Sequence, residues 1–366
     1  MGDLSRVLQE SWGRIEGRQD RVSSYFYARL FLAAPDLRDL FPIQLRPQRG
    51  RMMAAIVRAI RTIEDPEQFD AELRSLGRVH RRFGVTAEHH AVFRDCLIEA
   101  LRVHSTPYWG PEEEAAWRTA YDMMAERMVA GAAEATGPAY RYAEVVGHER
   151  RTPDVAVLTC QPFPEPIRFQ PGQYVHIETK HEPRQWRRYS IANAPRPDGT
   201  LEFHVRAIGV GAVSPALVWK VRVGEVLRLS EPAGSLRLPP PGRDVVCLAG
   251  GTGLAPIRAL IEATPVGGWG RWVHLYCGSR RIDGLYDLPR LVGLAASRPW
   301  LHLVPMVSEE EEYPGQRGTP CDALARGGPW ADHEFLLSGP PDMLRRALRQ
   351  LALLRIPAAH IQHDPF

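Results

Sequence analysis

Leu248-Ala249-Gly250-Gly251-Thr252-Gly253-Leu254-Ala255-Pro256 follows the apolar run Val245-Val246-Cys247-Leu248 and leads into a helical segment beginning near Ile257. Glycines in such a stretch let the backbone come close to a diphosphate, and the helix start offers amide hydrogens to its charge. A plain strand-to-helix turn would read the same way, so the surroundings have to decide. Downstream, Val273-His274-Leu275-Tyr276, Leu301-His302-Leu303-Val304 and Phe335-Leu336-Leu337 alternate with helical segments. That alternation predicts an α/β domain with a parallel sheet over residues 242–366.

Upstream of Pro239-Pro240-Pro241-Gly242 the texture changes. Short alternating runs such as Tyr174-Val175-His176-Ile177 and Leu201-Glu202-Phe203-His204-Val205 lie between Pro- and Gly-rich turns, which predicts an antiparallel β-barrel over 138–241. Before Gly137-Pro138 the period is helical: Leu4, Leu8, Trp12 and Ile15; Met53, Ile56, Ile60 and Ile63; Trp117, Tyr121, Met124 and Met128. Asp65-Pro66-Glu67 and Gly110-Pro111-Glu112 supply helix starts. Residues 1–137 therefore read as an all-α domain, and the chain as three domains in series.

Composition narrows the class. With 46 basic and 43 acidic side chains the net charge is only +3, so no global field draws the chain to nucleic acid or to an anionic membrane. Five scattered cysteines without a CxxC pair argue against a disulfide framework or a cysteine zinc site. The charged N-terminus has no apolar signal core, and no apolar run is long enough for a membrane span. We expect a cytoplasmic protein, a monomer or weak oligomer, acting on small molecules.

Several stretches resemble motifs of the ferredoxin-reductase superfamily, in its order. Pro171-Gly172-Gln173-Tyr174 and Arg188-Tyr189-Ser190-Ile191-Ala192-Asn193 are similar to its flavin-binding segments, and Gly211-Ala212-Val213-Ser214 to its second FAD-diphosphate turn. Tyr276-Cys277-Gly278-Ser279-Arg280 and Ser338-Gly339-Pro340-Pro341-Asp342-Met343 are similar to its nicotinamide-side loops. The resemblance implies that Arg188 pairs with the FAD diphosphate, Tyr189 lies against the isoalloxazine and Ser190 hydrogen-bonds near its N5. Tyr174, Asn193, Arg206, Gly211 and Ser214 complete the implied flavin set, and Gly250, Gly251, Thr252, Gly253, Gly339 and Pro340 the dinucleotide set. Ser308-Glu309-Glu310-Glu311 stands where users of NADPH carry a Ser-Arg pair; carboxylates there repel a 2′-phosphate, which favours NADH, although Arg280 and Arg281 are near enough to compensate.

The helical domain resembles the globin half of bacterial flavohaemoglobins, through Tyr25-Phe26-Tyr27-Ala28-Arg29-Leu30-Phe31, Phe41-Pro42 and His80-Arg81-Arg82-Phe83-Gly84-Val85. His80 shares a helix face with Leu73, Leu76 and Phe83, where a histidine is more often a packed core residue; the resemblance makes it the axial ligand of a haem b. It further implies Phe41 against the porphyrin, Tyr27 as distal tyrosine, and Gln48 and Met52 on the distal helix, with Gln44 or Arg51 as alternatives to Gln48. The chain departs from the family's proximal Tyr-Glu pair, with His90 and Ala132 at those positions, and has Val79 before the histidine where a lysine is usual. The ending His363-Asp364-Pro365-Phe366 is similar to the family's, placing Phe366 near the flavin.

Together these imply hydride delivered from NADH to FAD, single electrons passed to haem, and nitric oxide converted by oxygen to nitrate. Two rivals stay open: a haem-based gas sensor or oxygen-binding globin kept reduced by its own reductase, and an oxygenase-type reductase serving an external acceptor.

Overall fold

A computed structural model describes residues 2–209 and 213–364. The chain divides into two compact units, Met1–Ala139 and Tyr140–Phe366. Among the described residues no helix is long and apolar enough to cross a membrane, and all five cysteines are buried and unpaired.

The first unit is helical: α1 (Gly2–Ile15), α2 (Gln19–Ala33), α3 (Arg46–Thr62), α4 (Pro66–His80), α5 (Ala87–Ser105) and α6 (Pro111–Glu134). Asp65 caps α4 by accepting the Gln68 amide at 3.1 Å, with Pro66 opening the helix. Trp117, Phe26, Phe69, Leu8 and Leu30 fill the core, and Trp117 satisfies its indole N–H on Ser11 Oγ at 3.0 Å. Two glycines set the approach of α4 to α6. A Cβ on Gly77 would fall 1.9 Å from the Met128 carbonyl oxygen, and one on Gly131 2.3 Å from that of Arg74, so the backbones are in contact there. This crossing fixes the end of α4, where His80 stands.

In the second unit β1 (Arg141–Arg150), β2 (Val155–Phe163), β3 (Tyr174–Thr179), β4 (Glu182–Ser190), β5 (Leu201–Arg206) and β6 (Val226–Leu229) form an antiparallel sheet in the order β4-β3-β6-β1-β2-β5. A bridge from Ile191 to Phe203 joins its two ends, so the sheet curls into a barrel. Val145, Leu158, Val175, Ile177, Phe203 and Leu229 fill the interior. The single turn α7 (Val213–Pro215) follows.

β7 (Asp244–Gly250), β8 (Val273–Ser279), β9 (Leu301–Val307), β10 (Gln316–Arg317), β11 (His333–Ser338) and β12 (Ile361–His363) form a parallel sheet in the order β10-β9-β8-β7-β11-β12. Helices α8 (Leu254–Ala263) and α9 (Leu288–Ser297) cover one face, and α10 (Pro320–Arg326) and α11 (Pro341–Leu353) the other. The strand order reverses between β7 and β11, the switch point at whose carboxyl ends such sheets bind ligands. α8 begins at Leu254, not near Ile257 as expected. Pro256 falls in the first turn, where its missing N–H costs nothing, because those amides have no helical partner.

Candidate functional site

His80 is the last residue of α4 and partly buried. Its Nδ1 lies 2.8 Å from the Leu76 carbonyl oxygen, so the Nδ1–H donates and the ring lone pair rests on Nε2. Burial, partly offset by that hydrogen bond, holds the imidazole below its ordinary range and therefore neutral. A neutral, backbone-oriented imidazole is the form that ligates iron, so the donor chemistry fits a haem.

Tyr27 on α2 is buried, and its hydroxyl is hydrogen-bonded to the side chain of Gln48 on α3. Burial pushes this phenol up to about 12, against the opposing effects of Gln48, Arg51 and Arg49. It is a protonated donor at neutral pH. Phe41 meets Tyr27 edge-on at 5.3 Å and lies 6.1 Å from Phe93. Met52, one turn beyond Gln48, packs on the same core. Gln44 and Arg51 are exposed; the residue that reaches Tyr27 is Gln48.

Behind His80 the unit is hollow. Gly77, Val85, His90, Met128 and Ala132 line, with His80, a cavity of about 240 Å³. His90 is kept below its ordinary range by burial and then by its neighbours His80 and His89, and its Nδ1 is 3.4 Å from the Tyr121 hydroxyl. His90 and Ala132, at the positions where the resemblance implied a departure from a tyrosine–glutamate pair, both stand on its wall.

In the barrel, register pairs Tyr174 with Ser190 and His176 with Arg188, so Tyr174, Arg188 and Ser190 share one face of β3 and β4. The Arg188 guanidinium stacks 4.9 Å over the Tyr174 ring. Tyr189 alternates to the other side and packs on the barrel core. Asn193 is fully buried. Its Oδ1 accepts the Glu202 amide at 2.7 Å and its Nδ2 donates to Ala194 and Thr200 carbonyls, so it pins the loop after β4. Ser214 Oγ accepts the Ile208 amide at 3.2 Å. Asp364 is raised by burial and feels the charges of Arg188 and His363, which brings the end of the chain to the Arg188 face. Gly211 and Phe366, along with Ala212 and Pro365, lie outside the described residues.

At the switch point the backbones of two loops meet. A Cβ on Gly253 would sit 2.4 Å from the Ser338 oxygen and 2.5 Å from Gly339 Cα. Gly251 has φ +53°, and a Cβ there would fall 3.4 Å from a guanidinium nitrogen of Arg206. Gly250, Thr252, Gly339 and Pro340 flank this contact, at the ends of β7 and β11 and before α11. On the next strands Arg281 lies 3.3 Å from Glu310 Oε1, and Glu310 Oε2 accepts the Ile282 amide at 3.2 Å.

Sequence reasoning missed a buried cluster in the reductase unit. Arg258 on α8, wholly buried, bonds Glu202 (2.5 Å), Asp287 (2.9 Å), the Ala192 carbonyl (2.9 Å) and His204 Nε2 (3.0 Å). It ties the barrel strand β5 and the loop after β4 to α8. An arginine inside the apolar run Leu254–Ala263 was its only signal.

Comparison with known proteins agrees domain by domain. The globin family model matches residues 24–128, an oxidoreductase FAD-binding domain 143–238 and an oxidoreductase NAD-binding domain 247–349. The flavohemoprotein of Bordetella pertussis is 28% identical over 95% of this chain and 93% of its own length. The xylene/toluene monooxygenase electron transfer component of Pseudomonas putida is 34% identical over 55% of this chain, which spans only 58% of that relative. A flavohemoglobin structure from Malassezia yamatoensis, with bound FAD and heme, superposes with a TM-score of 0.79 over 100% of this chain and 98% of its own; at 19% identity it attests the fold. With a globin first, an FAD-binding oxidoreductase domain second and an NAD-binding one third, the chain belongs to the flavohaemoglobin family.

Proposed function

We propose that this chain is an NADH-dependent nitric oxide dioxygenase, with the flavin-binding part at 138–241 and the nicotinamide-binding part at 242–366. In this reaction one NADH, two dioxygen and two nitric oxide molecules give NAD⁺, two nitrates and one proton. The observation that carries the reading is the pairing, in one helical unit, of a neutral His80 with a Tyr27–Gln48 donor pair, joined in one polypeptide to loops suited to FAD and a nicotinamide dinucleotide.

Haem supplies the iron at which the two gases react, and FAD supplies the exchange of a hydride for single electrons. The chain supplies position and polarity. Leu76 holds the tautomer of His80 and so presents Nε2 as the ligand. Tyr27 keeps its proton and, with its oxygen engaged by Gln48, its O–H is left to donate to charge developing near the iron. Phe41, with Tyr27 edge-on, and Met52 would give the porphyrin an apolar wall. Tyr174, Arg188 and Ser190 would hold FAD on one barrel face, with Arg206 and Ser214 toward its diphosphate and Tyr189 and Asn193 fixing the strand end behind. Gly250 to Gly253, Gly339 and Pro340 would let a dinucleotide approach the backbone at the switch point. NADH is favoured because Arg281 is already paired with Glu310, leaving no unneutralised cation pair there for a 2′-phosphate.

The test is aerobic nitric oxide consumption by the purified, haem- and flavin-loaded protein. NADH should accelerate it at least a hundredfold, with nitrate as product, and Tyr27→Phe should lower the rate about tenfold or more. NADH oxidation without faster nitric oxide loss would sink the reading. The hollow behind His80, in place of a polar pair, favours a second reading in which the globin binds a gas as a sensor and the reductase keeps it reduced. A single slow reduction followed by stable oxygen binding would select it.

A further inference from the structure

The parallel sheet has chemistry at both ends of its strands. The dinucleotide loops lie at the carboxyl ends; at the opposite ends, on one face, stand three histidines and an aspartate. Asp244 opens β7, His274 is second in β8, His302 second in β9 and His333 first in β11. Register pairs His333 with Asp244 and His274 with His302, and His274 with Val246, two residues on from Asp244, so strand alternation turns all four side chains to the same side.

One ligand atom each from Asp244, His274 and His333 lies within 4.8 Å of the other two. His274 Nδ1 is 3.2 Å from His302 Nδ1. The remaining polar atoms do not explain the gathering. Asp244 Oδ1 accepts the Trp272 amide at 2.8 Å, which leaves its second oxygen. Nδ1 of His333 is buried with no hydrogen-bond partner, beneath the edge of Trp330 at 5.3 Å. Stranding a buried ring nitrogen costs free energy unless something takes its lone pair.

We propose that Asp244, His274 and His333 bind a divalent transition-metal ion, zinc first, with His302 as a positioning residue. Two imidazoles and a carboxylate are a borderline donor set, suited to zinc and its neighbours and ill suited to magnesium or calcium, which want oxygen. Ligand atoms about 2.1 Å from a tetrahedral zinc stand ~3.4 Å apart, so side-chain adjustments of about 1 Å close the present triangle. A His274 Nδ1–H donated to His302 leaves the lone pair on Nε2, the usual outer hydrogen bond of a ligating histidine. Water would complete the fourth position.

β7 rises about 3.3 Å per residue, which puts this site ~20 Å along the strand from Gly250. It is therefore a clamp on β7, β8 and β11 and stands off the path of hydride.

The experiment is calorimetric titration of Zn²⁺ into chelator-stripped full-length protein with haem and FAD loaded, with bound zinc counted by elemental analysis after gel filtration. One zinc per chain with micromolar or tighter Kd is expected, unaffected by millimolar Mg²⁺. His274→Gln and His333→Gln should each weaken it at least tenfold, His302→Gln less, all with unchanged flavin content and NADH oxidation, which shows that the unit is folded. No binding by the wild type, or equal binding by the wild type and His274→Gln and His333→Gln, would overturn the proposal. Should one variant lose flavin, the other decides.

Discussion

The two units handle buried polar groups in opposite ways. Around Arg258 the reductase unit packs a guanidinium, two carboxylates, an imidazole and a backbone carbonyl into one closed set. Around His80 the globin unit offers one backbone hydrogen bond and a cavity. The first site is determined by the protein alone: Arg258 meets two carboxylates, an imidazole and a carbonyl at once, and Glu202 is held by Arg196 and His204 as well. In the second, the histidine's orientation rests on Leu76 and on whatever its other nitrogen binds. Flavin and nicotinamide chemistry are thus built on a preformed frame, whereas the haem completes its own site.

The contrast is tested most severely by His80→Ala. Haem content should fall to background, and with it all nitric oxide consumption, while NADH-driven reduction of ferricyanide stays within about twofold. Absorbance of haem against flavin reads both at once. Retained haem would mean that position 80 is not what holds it. Arg258→Met makes the reverse cut. Leaving Asp287 buried without its cation, and Glu202 with Arg196 alone, should destabilise the reductase unit by about 3–5 kcal/mol, seen as early loss of flavin on denaturation, with haem retained at its ordinary level. A variant as stable as the parent would show that the network is dispensable.

Acid offers a milder test. Burial holds His204 neutral, with Arg258 reinforcing and Glu202 opposing that effect. Burial alone would raise Glu202, but His204, the Arg258 charge and Arg196 hold it well below the carboxylate range. For both groups the unfolded chain binds protons more readily than the folded one. Their stability is therefore complete above the unfolded values and lost as pH falls, first below about 6.5 for His204 and then below about 4.3 for Glu202. Flavin retention should decline from pH 7 toward pH 5, with a slope of at most ~1.4 kcal/mol per pH unit for the one histidine, and less steeply in His204→Gln. A flat profile in the parent would show that His204 takes up its proton at the same pH folded and unfolded, and a rise toward acid that it is charged inside.

What could be read beforehand follows the same division. Gly250–Gly253 are visible in the sequence as a glycine run, at which the structure brings two backbones together, and Arg188 to Ser190 as three consecutive polar side chains. The sides that β4 gives Tyr189 and Ser190 were not legible, since the charged run Glu182–Ser190 does not look like a strand until its register with β3 is known. His80 stood on an apolar stripe like any core histidine. Gln48 became distinguishable from Gln44 and Arg51 only when α3 was packed against Tyr27. Arg258, and the histidines at the base of the sheet, are assembled from residues tens of positions apart by strand pairing, which no local pattern encodes.

The smallest expected effect addresses the cavity. Ala132→Leu would add three carbons to a wall shared with Gly77, Val85 and Met128. At ~0.8 kcal/mol per buried carbon, less ~1 kcal/mol of side-chain entropy and the share left wet in a half-open space, the gain is about 1 kcal/mol. For a unit of this size that raises the haem-unit unfolding midpoint by about 3–5 °C. If the void is simply what alanine leaves at a place built for a larger side chain, the haem spectrum and nitric oxide turnover stay unchanged. If instead His80 uses that space to shift as a gas binds, filling it stiffens the histidine and slows turnover with no loss of haem. Unfolding temperature and turnover in one variant thus separate an unfilled gap from a working one, and a fall in stability would show that the α4–α6 crossing at Gly77 and Gly131 admits no further volume.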